Sequence, residues 1–268
     1  MLTFALKRLL STVATLLVLA LLVFFLLHAA PGGPFEDART LVPDVQAQID
    51  ELVGAGFPVS LQLGLAAMTL AVLLGCGAGT LAALRRGSLG DRALMALVMT
   101  GASIPNFVVA PLLILAFALA LGWLPAGGWD SWRSAVLPVI ALALPQVAWL
   151  ARLTRDSMAE VLAQGYIRTA SAKGLPPRWI IFRHALKPAL MPVLSYLGPA
   201  TAQIITGSVV VEQVFSIPGL GRHFVQGALN RDYTVVMGVV MFYGALIVVF
   251  NLVVDLLYGA LDPRVRTR

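Results

Sequence analysis

The chain is organised around residues 155–187, RDSMAEVLAQGYIRTASAKGLPPRWIIFRHALK. No apolar run of membrane-spanning length interrupts this stretch, whereas Leu, Val, Ala and Pro dominate the sequence on both sides. It carries six basic residues against two acids, Asp156 and Glu160. A large, positively charged loop between two membrane spans is expected on the cytoplasmic side of the membrane. The stretch therefore predicts a cytoplasmic loop in a membrane protein.

The spacing of residues inside this loop predicts two short helices that meet at an angle. Residues 156–173 are mostly good helix formers with apolar residues three to four positions apart, which predicts one amphipathic helix. Gly174 tolerates the left-handed conformation that ends many helices. Pro177 can open the next helix because the first helical turn has no use for its missing N–H. We therefore expect a helix, a sharp corner and a second helix that returns to the membrane.

The composition indicates a membrane protein that crosses the bilayer several times. Hydrophobic residues make up 59% of the 268 positions and charged residues only 12%, against roughly a quarter charged in a soluble domain. The single cysteine, Cys76, excludes an intramolecular disulfide and a metal site built from several thiolates. The three histidines are far apart in the sequence, so we expect no metal site.

Six apolar stretches approach the length of about 20 residues that a bilayer requires. They are residues 9–29, 58–84, the run after Arg92 as far as Leu121, and residues 134–150, 188–211 and 233–257. Pro105 and Pro111 lie inside the third stretch, where prolines kink or break a helix. Gly75 and Gly79 form a GxxxG pattern in the second, which permits close approach of another helix.

The distribution of basic residues predicts that both termini are cytoplasmic. With the N-terminus inside, fifteen of the 19 Lys and Arg residues fall on the inner side and four on the outer side. Such a bias sets the orientation of a membrane protein. The formal net charge of +6 is therefore explained by topology, and nucleic-acid binding has no remaining support.

Several motifs resemble those of binding-protein-dependent ABC importer permeases. They are HAAPGGPF (28–35), FPVSLQLG (57–64), SIPNFVVAPLL (103–113), YIRTASAKGLPPRWIIFRHALKPALMPVLSYLGPA (166–200), VVVEQVFSIPGLG (209–221), ALNRDYTVV (228–236) and NLVVDLLYGALDPRVR (251–266). They occur in the family's order along nearly the full chain. The resemblance is to the oligopeptide and dipeptide branch, and within it to the first of the two permease subunits of an oligopeptide importer.

The resemblance implies an all-α transmembrane domain of the type I importer fold with six spans. It divides the chain into an anchor helix with an outer loop (1–57), an importer core (58–258) containing the cytoplasmic coupling loop (152–187), and a cytoplasmic tail (259–268). The implied partners are the lipid bilayer, a second homologous permease, two ATP-binding subunits and an extracytoplasmic peptide-binding protein. No cofactor is expected in this chain, since ATP and magnesium would bind the partner ATPases. The expected location is the inner membrane of a prokaryote.

In the family, the coupling helix of this loop docks in a groove of the ATPase. The residues carried over to that role are Arg168, Thr169, Ala170, Lys173 and Gly174. One of these residues departs from the family pattern, because Arg168 stands where the general pattern has glutamate. Outside the set, Pro188 lies one position beyond the pattern's proline. The outer interval is also shorter than in the family, because the match stops near Glu51 and resumes at Phe57.

The remaining polar residues suggest a transport path rather than catalysis. The sequence contains no GxxxxGK[ST] loop, so any ATP hydrolysis must occur in another subunit, and we expect no catalytic residue. Polar residues in spans are costly and therefore suggest a path for the substrate, here Asn106, Gln146, Gln203 and Thr206. Glu212, Pro218 and Gly219 lie where an external gate could form, although a simple Pro-Gly turn explains the same loop.

Other functions remain open at this point. The cargo of such a permease could be an oligopeptide, a dipeptide, a nickel chelate or glutathione. A secondary transporter would need coupling groups at the middle of the membrane or an internal repeat, and neither is evident. A scaffold that transports nothing would tolerate disruption of the corner at Gly174.

Overall fold

The computed structural model describes residues 10–18, 20–21, 25 and 52–261, without the side chains of residues 52–53, 233–234 and 254–261. All regular structure in this part of the chain is helical, which confirms the predicted fold class at that level. The described residues of the first predicted span are helical. The rest of that span, the acidic outer interval as far as Glu51, and the tail from residue 262 lie outside the described residues.

The second and third predicted spans differ in continuity. A π-helical turn, Leu52–Gly56, leads into helix α1, Phe57–Leu84. Helix α2, Leu89–Ser103, is followed by α3, Asn106–Leu113, which continues as a π-helix over Ile114–Ala120. The two halves are bent by 101° at a break that contains Pro105, so the expected effect of proline is confirmed there.

Helix α4, Trp132–Leu162, is longer than the fourth predicted span. The predicted apolar span ends at residue 150, whereas the helix continues for about three more turns. Leu150, Thr154 and Met158 are spaced four residues apart and are all fully buried, so one face of α4 keeps packing after the sequence becomes charged. The charged residues occupy the other faces.

The basic loop contains two helical arms, as expected, but the first arm is shorter. A single helix over residues 156–173 is wrong, because α4 ends at Leu162 and a new helix, α5, runs over Gly165–Ala172. Gln164 between them has an extended backbone that interrupts the helix. Gly174 has a φ of +77°, which confirms the predicted left-handed corner. Helix α6, Pro177–Trp179, then begins at the predicted proline.

The second arm leads to the last helices. A π-helical segment, Ile180–Ala185, and helix α7, Leu186–Ala189, return the chain to α8, Met191–Gly207, and α9, Val209–Val214. Helix α10, Leu220–Leu229, was not anticipated in the interval between the fifth and sixth predicted spans. Helix α11, Tyr233–Leu261, extends four residues beyond the predicted sixth span.

Four described helical segments are long and apolar enough to cross a membrane. They are Gly54–Leu84, Trp132–Leu162, Met191–Val214 and Val235–Val253. A fifth crossing exists if the bent pair, Leu89–Ser103 with Asn106–Ala120, counts as one broken span. The described residues therefore account for four or five of the six predicted spans.

The core of the bundle is centred on the contact between α1 and α4. A Cβ atom added to Gly75 would lie 2.8 Å from Cβ of Leu150 and 2.9 Å from the carbonyl oxygen of Val147. A Cβ atom on Gly79 would likewise collide with the backbone of α4 at Ala151. The GxxxG pattern thus allows the two backbones to approach closely, as its spacing predicted.

Candidate functional site

The coupling corner, which we define as residues 165–189, is built on a small apolar core of its own. Seven buried side chains form this core: Ala83, Met158, Ile167, Ala170, Ile180, Ala185 and Ala189. They come from the end of α1, the end of α4, helix α5 and the second arm of the loop. We call this second arm, residues 177–189, the returning arm. Because close-packed side chains transmit displacement, a force applied to α5 would reach α1, α4 and the arm that leads to α8.

The predicted docking residues divide into an outer and an inner set. Arg168, Thr169, Lys173 and Gly174 are exposed and are therefore available to a partner. Ala170 is only 8% exposed and packs into the core of the corner, so its side chain seats α5 rather than facing outward. Residue identity alone did not reveal this difference, although Ile167 and Ala170, three positions apart, are both buried on α5.

An ion pair between the buried Asp91 and the partly exposed Arg155 joins the C-terminal part of α4 to α2. Nε of Arg155 donates to Oδ1 of Asp91 at 2.7 Å, and the Arg155 NH2 group donates to Oδ2 of Asp91 at 2.7 Å. The backbone N–H of Gly87 also donates to Oδ2 of Asp91 at 3.0 Å. The two-pronged geometry fixes the orientation of both side chains. Sequence reasoning missed this pair, because 64 positions separate the two residues.

A second polar cluster, the Glu212 hub, lies at the opposite end of the fold and consists of Ser60, Ser208, Glu212, Leu220 and Gly221. Oε1 of Glu212 accepts hydrogen bonds from the hydroxyls of Ser60 at 2.8 Å and Ser208 at 2.6 Å. Oε2 accepts from the backbone N–H of Gly221 at 2.7 Å. The carboxyl is fully buried, so these donors replace the water it has lost.

The hub also caps helix α10. The Ser60 hydroxyl accepts from the N–H of Leu220 at 2.9 Å, and Glu212 accepts from that of Gly221, so two of the N–H groups that have no partner within α10 are satisfied. A negative charge at a helix N-terminus is further favoured by the helix dipole. One carboxylate therefore ties α10 to α1 and to the junction of α8 and α9.

Two of the three predicted gate residues come together at this hub. Gly219 lies so close to the Glu212 carboxyl and the Ser60 hydroxyl that a Cβ atom would overlap both. Pro218 is exposed and faces away. The loop is therefore more than a Pro-Gly turn, because its glycine is required by contact with a buried acid. A polar Ser60 within an apolar helix was the available sequence signal for this contact.

Among the described residues, no hydrogen bond joins the side chains of the four predicted path residues to one another, although the Thr206 hydroxyl lies 3.4 Å from the backbone carbonyl oxygen of Gln203. The Tyr196 hydroxyl donates to Oε1 of Gln146 at 2.9 Å, while the Thr206 hydroxyl donates to the carbonyl of Ala202 in its own helix. Gln203 is exposed. Oδ1 of Asn106 is buried without a hydrogen-bond partner among the described residues. Among the side chains that the structure describes, no group of acidic, Cys or His residues could hold a metal ion.

Comparison with known families explains this architecture. Residues 71–267 match the family described as "Binding-protein-dependent transport system inner membrane component". The chain belongs to this family. It is accordingly a membrane subunit of an ABC importer and is located in the inner membrane of a prokaryote.

Curated members of the family are similar over their full length. The chain is 47% identical to the oligopeptide transport system permease protein of Escherichia coli K12, covering 99% of this chain and 100% of the relative. It is 42% identical to the dipeptide transport system permease protein of Bacillus subtilis 168, covering 98% and 97%. Identity to the glutathione transport system permease protein of Escherichia coli O1:K1 is 35%, covering 99% of both chains.

Solved structures show the same fold at lower sequence similarity. An inward-facing methionine ABC transporter matches with a TM-score of 0.67 at 18% identity, covering 82% of this chain and 97% of the solved chain. An amino acid ABC transporter crystallised with histidines matches with a TM-score of 0.63, also at 18% identity, covering 82% and 99%. These importer subunits therefore share the helical fold of this family member.

The lengths of this chain and of its Escherichia coli K12 relative can be compared with the prediction that the outer interval between the first and second spans is short. The alignment with the Escherichia coli K12 relative extends over 305 positions, although this chain has 268 residues. The relative therefore contains residues that this chain lacks, as expected if the interval between Glu51 and Phe57 is abbreviated.

Proposed function

We propose that this chain is one of two permease subunits of an ATP-driven oligopeptide importer and forms half of the path for the peptide. The coupling corner carries this proposal, because it combines an exposed cationic helix with a packed connection to the spans. The 47% identity to an oligopeptide permease supports the choice of cargo. Dipeptide, glutathione and nickel-chelate transport are the alternatives, and the first two are supported by relatives at 42% and 35% identity.

The proposed partners follow from what this chain lacks and what it exposes. A second homologous permease would complete the pore, and two ATPase subunits carrying ATP and magnesium would hydrolyse the nucleotide, since the sequence has no phosphate-binding GxxxxGK[ST] loop. An extracytoplasmic binding protein would deliver the peptide. This chain would therefore act in transport without an ATPase site of its own.

The proposed topology has six spans with both termini in the cytoplasm. It is supported by fifteen basic residues on one side against four on the other. The coupling corner and the Asp91–Arg155 pair then lie at the cytoplasmic face, and the Glu212 hub lies at the outer face. The described helices supply four or five of the crossings.

The coupling mechanism follows from the contacts of α5. When the ATPases close on nucleotide, they would move α5 through Arg168, Thr169 and Lys173. Ile167 and Ala170 transmit this displacement to the apolar core of the corner, which includes residues of α1 and α4. The Asp91–Arg155 pair extends the rigid unit to α2. Several spans would then move together when the ATPases close.

The proposed path and outer gate use the polar residues of the bundle. Gln146 and Asn106 are the better supported path residues. Gln146 accepts a hydrogen bond from Tyr196, and Asn106 has a buried oxygen without a partner among the described residues. Gln203 and Thr206 complete the proposed set. At the outer side, Glu212 and Gly219 would hold the gate loop in place, and the exposed Pro218 would face the outer medium.

Substitution of Gly174 by alanine tests the coupling role, with Gly165→Ala as a matched control. An added Cβ atom meets nothing within 4 Å at either glycine, but only Gly174 has a left-handed backbone. That conformation costs an alanine about 1–2 kcal/mol. We therefore expect Gly174→Ala to lower the equilibrium constant for docking of the coupling corner on the ATPase subunits about five- to thirtyfold. Gly165→Ala should behave as wild type.

The measurement is peptide uptake and ATP hydrolysis by the assembled importer in proteoliposomes. Gly174→Ala should transport less peptide for each ATP hydrolysed, or should retain less ATPase after purification. Equal uptake by both variants and wild type would instead support a scaffold in which the corner has no part in transport.

A further inference from the structure

The returning arm of the corner has two chemically distinct faces. Its inner face carries Ile180, Ala185 and Ala189, which are buried in the core of the corner. Its outer face, which we call the basic aromatic face, consists of Arg178, Trp179, Phe182 and Arg183, spaced so that they share one side of a helix. Trp179 is 51% exposed and Phe182 is 72% exposed.

The four residues of this face line one open cavity of about 420 Å³. This volume lies in the range of roughly 300–1,000 Å³ that is usual for small-molecule sites. The guanidinium carbon of Arg183 lies 5.8 Å from the centre of the Trp179 ring, which is within cation–π distance. The aromatic ring therefore helps to hold one guanidinium in position before any ligand arrives.

No acidic side chain in the described part of the chain forms a salt bridge with the arginines of this face. Among the described residues, the salt bridges are those of Arg155 with Asp91 and Asp156, and neither Arg178 nor Arg183 forms one. Two arginines without a carboxylate partner favour an anionic occupant, and a guanidinium matches phosphate oxygens in geometry. Exposed Trp and Phe beside arginine are typical of segments at the boundary between membrane and water.

The position of the face agrees with a membrane boundary. Arg183 precedes Met191, where the next helix of membrane-spanning length begins, by eight residues. At 1.5 Å per residue an α-helix of this length spans about 12 Å, so Arg183 lies within about 12 Å along the chain of the start of that helix, a distance compatible with the headgroup layer.

We propose that the basic aromatic face binds the headgroup of an anionic phospholipid from the adjacent leaflet. The two arginines would hold the phosphate while Trp179 and Phe182 contact the glycerol and upper acyl region. The lipid would hold the returning arm at the membrane surface. Displacement of α5 by the ATPase subunits would then tilt the spans instead of moving the coupling corner away from the membrane. This inference rests on the proposed topology and goes beyond the proposed function in naming a lipid site.

The test is lipid retention by the complete importer. Complexes would be reconstituted in nanodiscs of equimolar phosphatidylcholine and phosphatidylglycerol, and retained lipid would be counted by native mass spectrometry after release. Arg178→Gln, Arg183→Gln and the double variant would be compared with Arg86→Gln, which removes an exposed arginine from the same side of the fold. An arginine near an anionic surface contributes about 1 kcal/mol, so each substitution should lower phosphatidylglycerol retention about fivefold.

The outcomes separate the lipid site from the proposed function. Loss of phosphatidylglycerol in the arginine variants, with ATPase subunits retained and Arg86→Gln unchanged, supports the site. An equal loss in Arg86→Gln overturns it in favour of a diffuse charge effect. Loss of ATPase with lipid retained overturns it in favour of an ATPase contact. Unchanged phosphatidylglycerol retention in the double variant also overturns the lipid site. Peptide uptake by the wild-type importer tests the proposed function independently of these variants.

Discussion

Replacing Glu212 with alanine is expected to lower the free energy of unfolding by roughly 2–6 kcal/mol, because two buried donors lose their acceptor and each orphaned group costs about 1–3 kcal/mol. The two donors are the Ser60 hydroxyl and the N–H of Gly221, whereas the Ser208 hydroxyl can still donate to the carbonyl oxygen of Ile205 at 2.8 Å. The measurement is chemical denaturation of the detergent-solubilised subunit, followed by tryptophan fluorescence.

Two further variants define the cause of that loss. Glu212→Gln should cost about 1–2 kcal/mol, because its amide oxygen can still accept from Gly221 while its NH2 group donates to the serine oxygens. Gln213→Ala changes the exposed neighbour in the same helix and should stay within about 0.5 kcal/mol of wild type. A loss in Glu212→Ala no larger than that in Gln213→Ala would show that the hub contributes little.

Gly79→Ala is expected to destabilise the protein by about 3 kcal/mol, the upper end of the usual cost of overpacking. The added Cβ atom would lie 2.7 Å from Cβ of Thr154 and would also collide with the Ala151 carbonyl, so α1 and α4 would have to separate. The measurement is the same denaturation experiment.

Gly77 supplies the control for this prediction. It lies two positions away in the same helix, where an added Cβ atom meets nothing within 4 Å. Gly77→Ala should therefore be neutral or should stabilise by about 0.5–1 kcal/mol through helix propensity. Similar stabilities of the two variants would contradict the close approach of α1 and α4.

Features governed by a few neighbouring residues could be predicted from the sequence. Gly174 adopts the left-handed corner and Pro177 opens the next helix because both effects depend on backbone sterics at one residue. The break at Pro105 has the same origin. The contact at Gly75 and Gly79 was accessible because helical spacing places both on one face.

Features that depend on distant residues could not be predicted in this way. Helix α4 continues to Leu162 because Thr154 and Met158 find packing partners beyond the apolar run. The Glu212 hub requires Ser60, which is 152 positions away in the sequence. The sequence indicated that Glu212 and Gly219 belong to one loop region, but only the folded chain shows that the acid is buried against that glycine.

The coupling corner illustrates both cases. The motif indicated Arg168, Thr169, Ala170, Lys173 and Gly174 as one docking set. The fold separates Ala170, which is buried, from the other four, which are exposed. The difference arises because the inward face of α5 is determined by packing against Met158 and Ile180, residues outside the helix itself.

Labelling of Lys173 tests the central claim, that the coupling corner faces the cytoplasm and binds the ATPase subunits. Lys173→Cys in a Cys76→Ser background provides a single thiol, since Cys76 is the only native cysteine. Membrane-impermeant maleimide should label this thiol in inverted vesicles but not in right-side-out vesicles, and bound ATPase subunits should protect it. Labelling from the outer side, or no protection by the ATPase subunits, would contradict the proposed function.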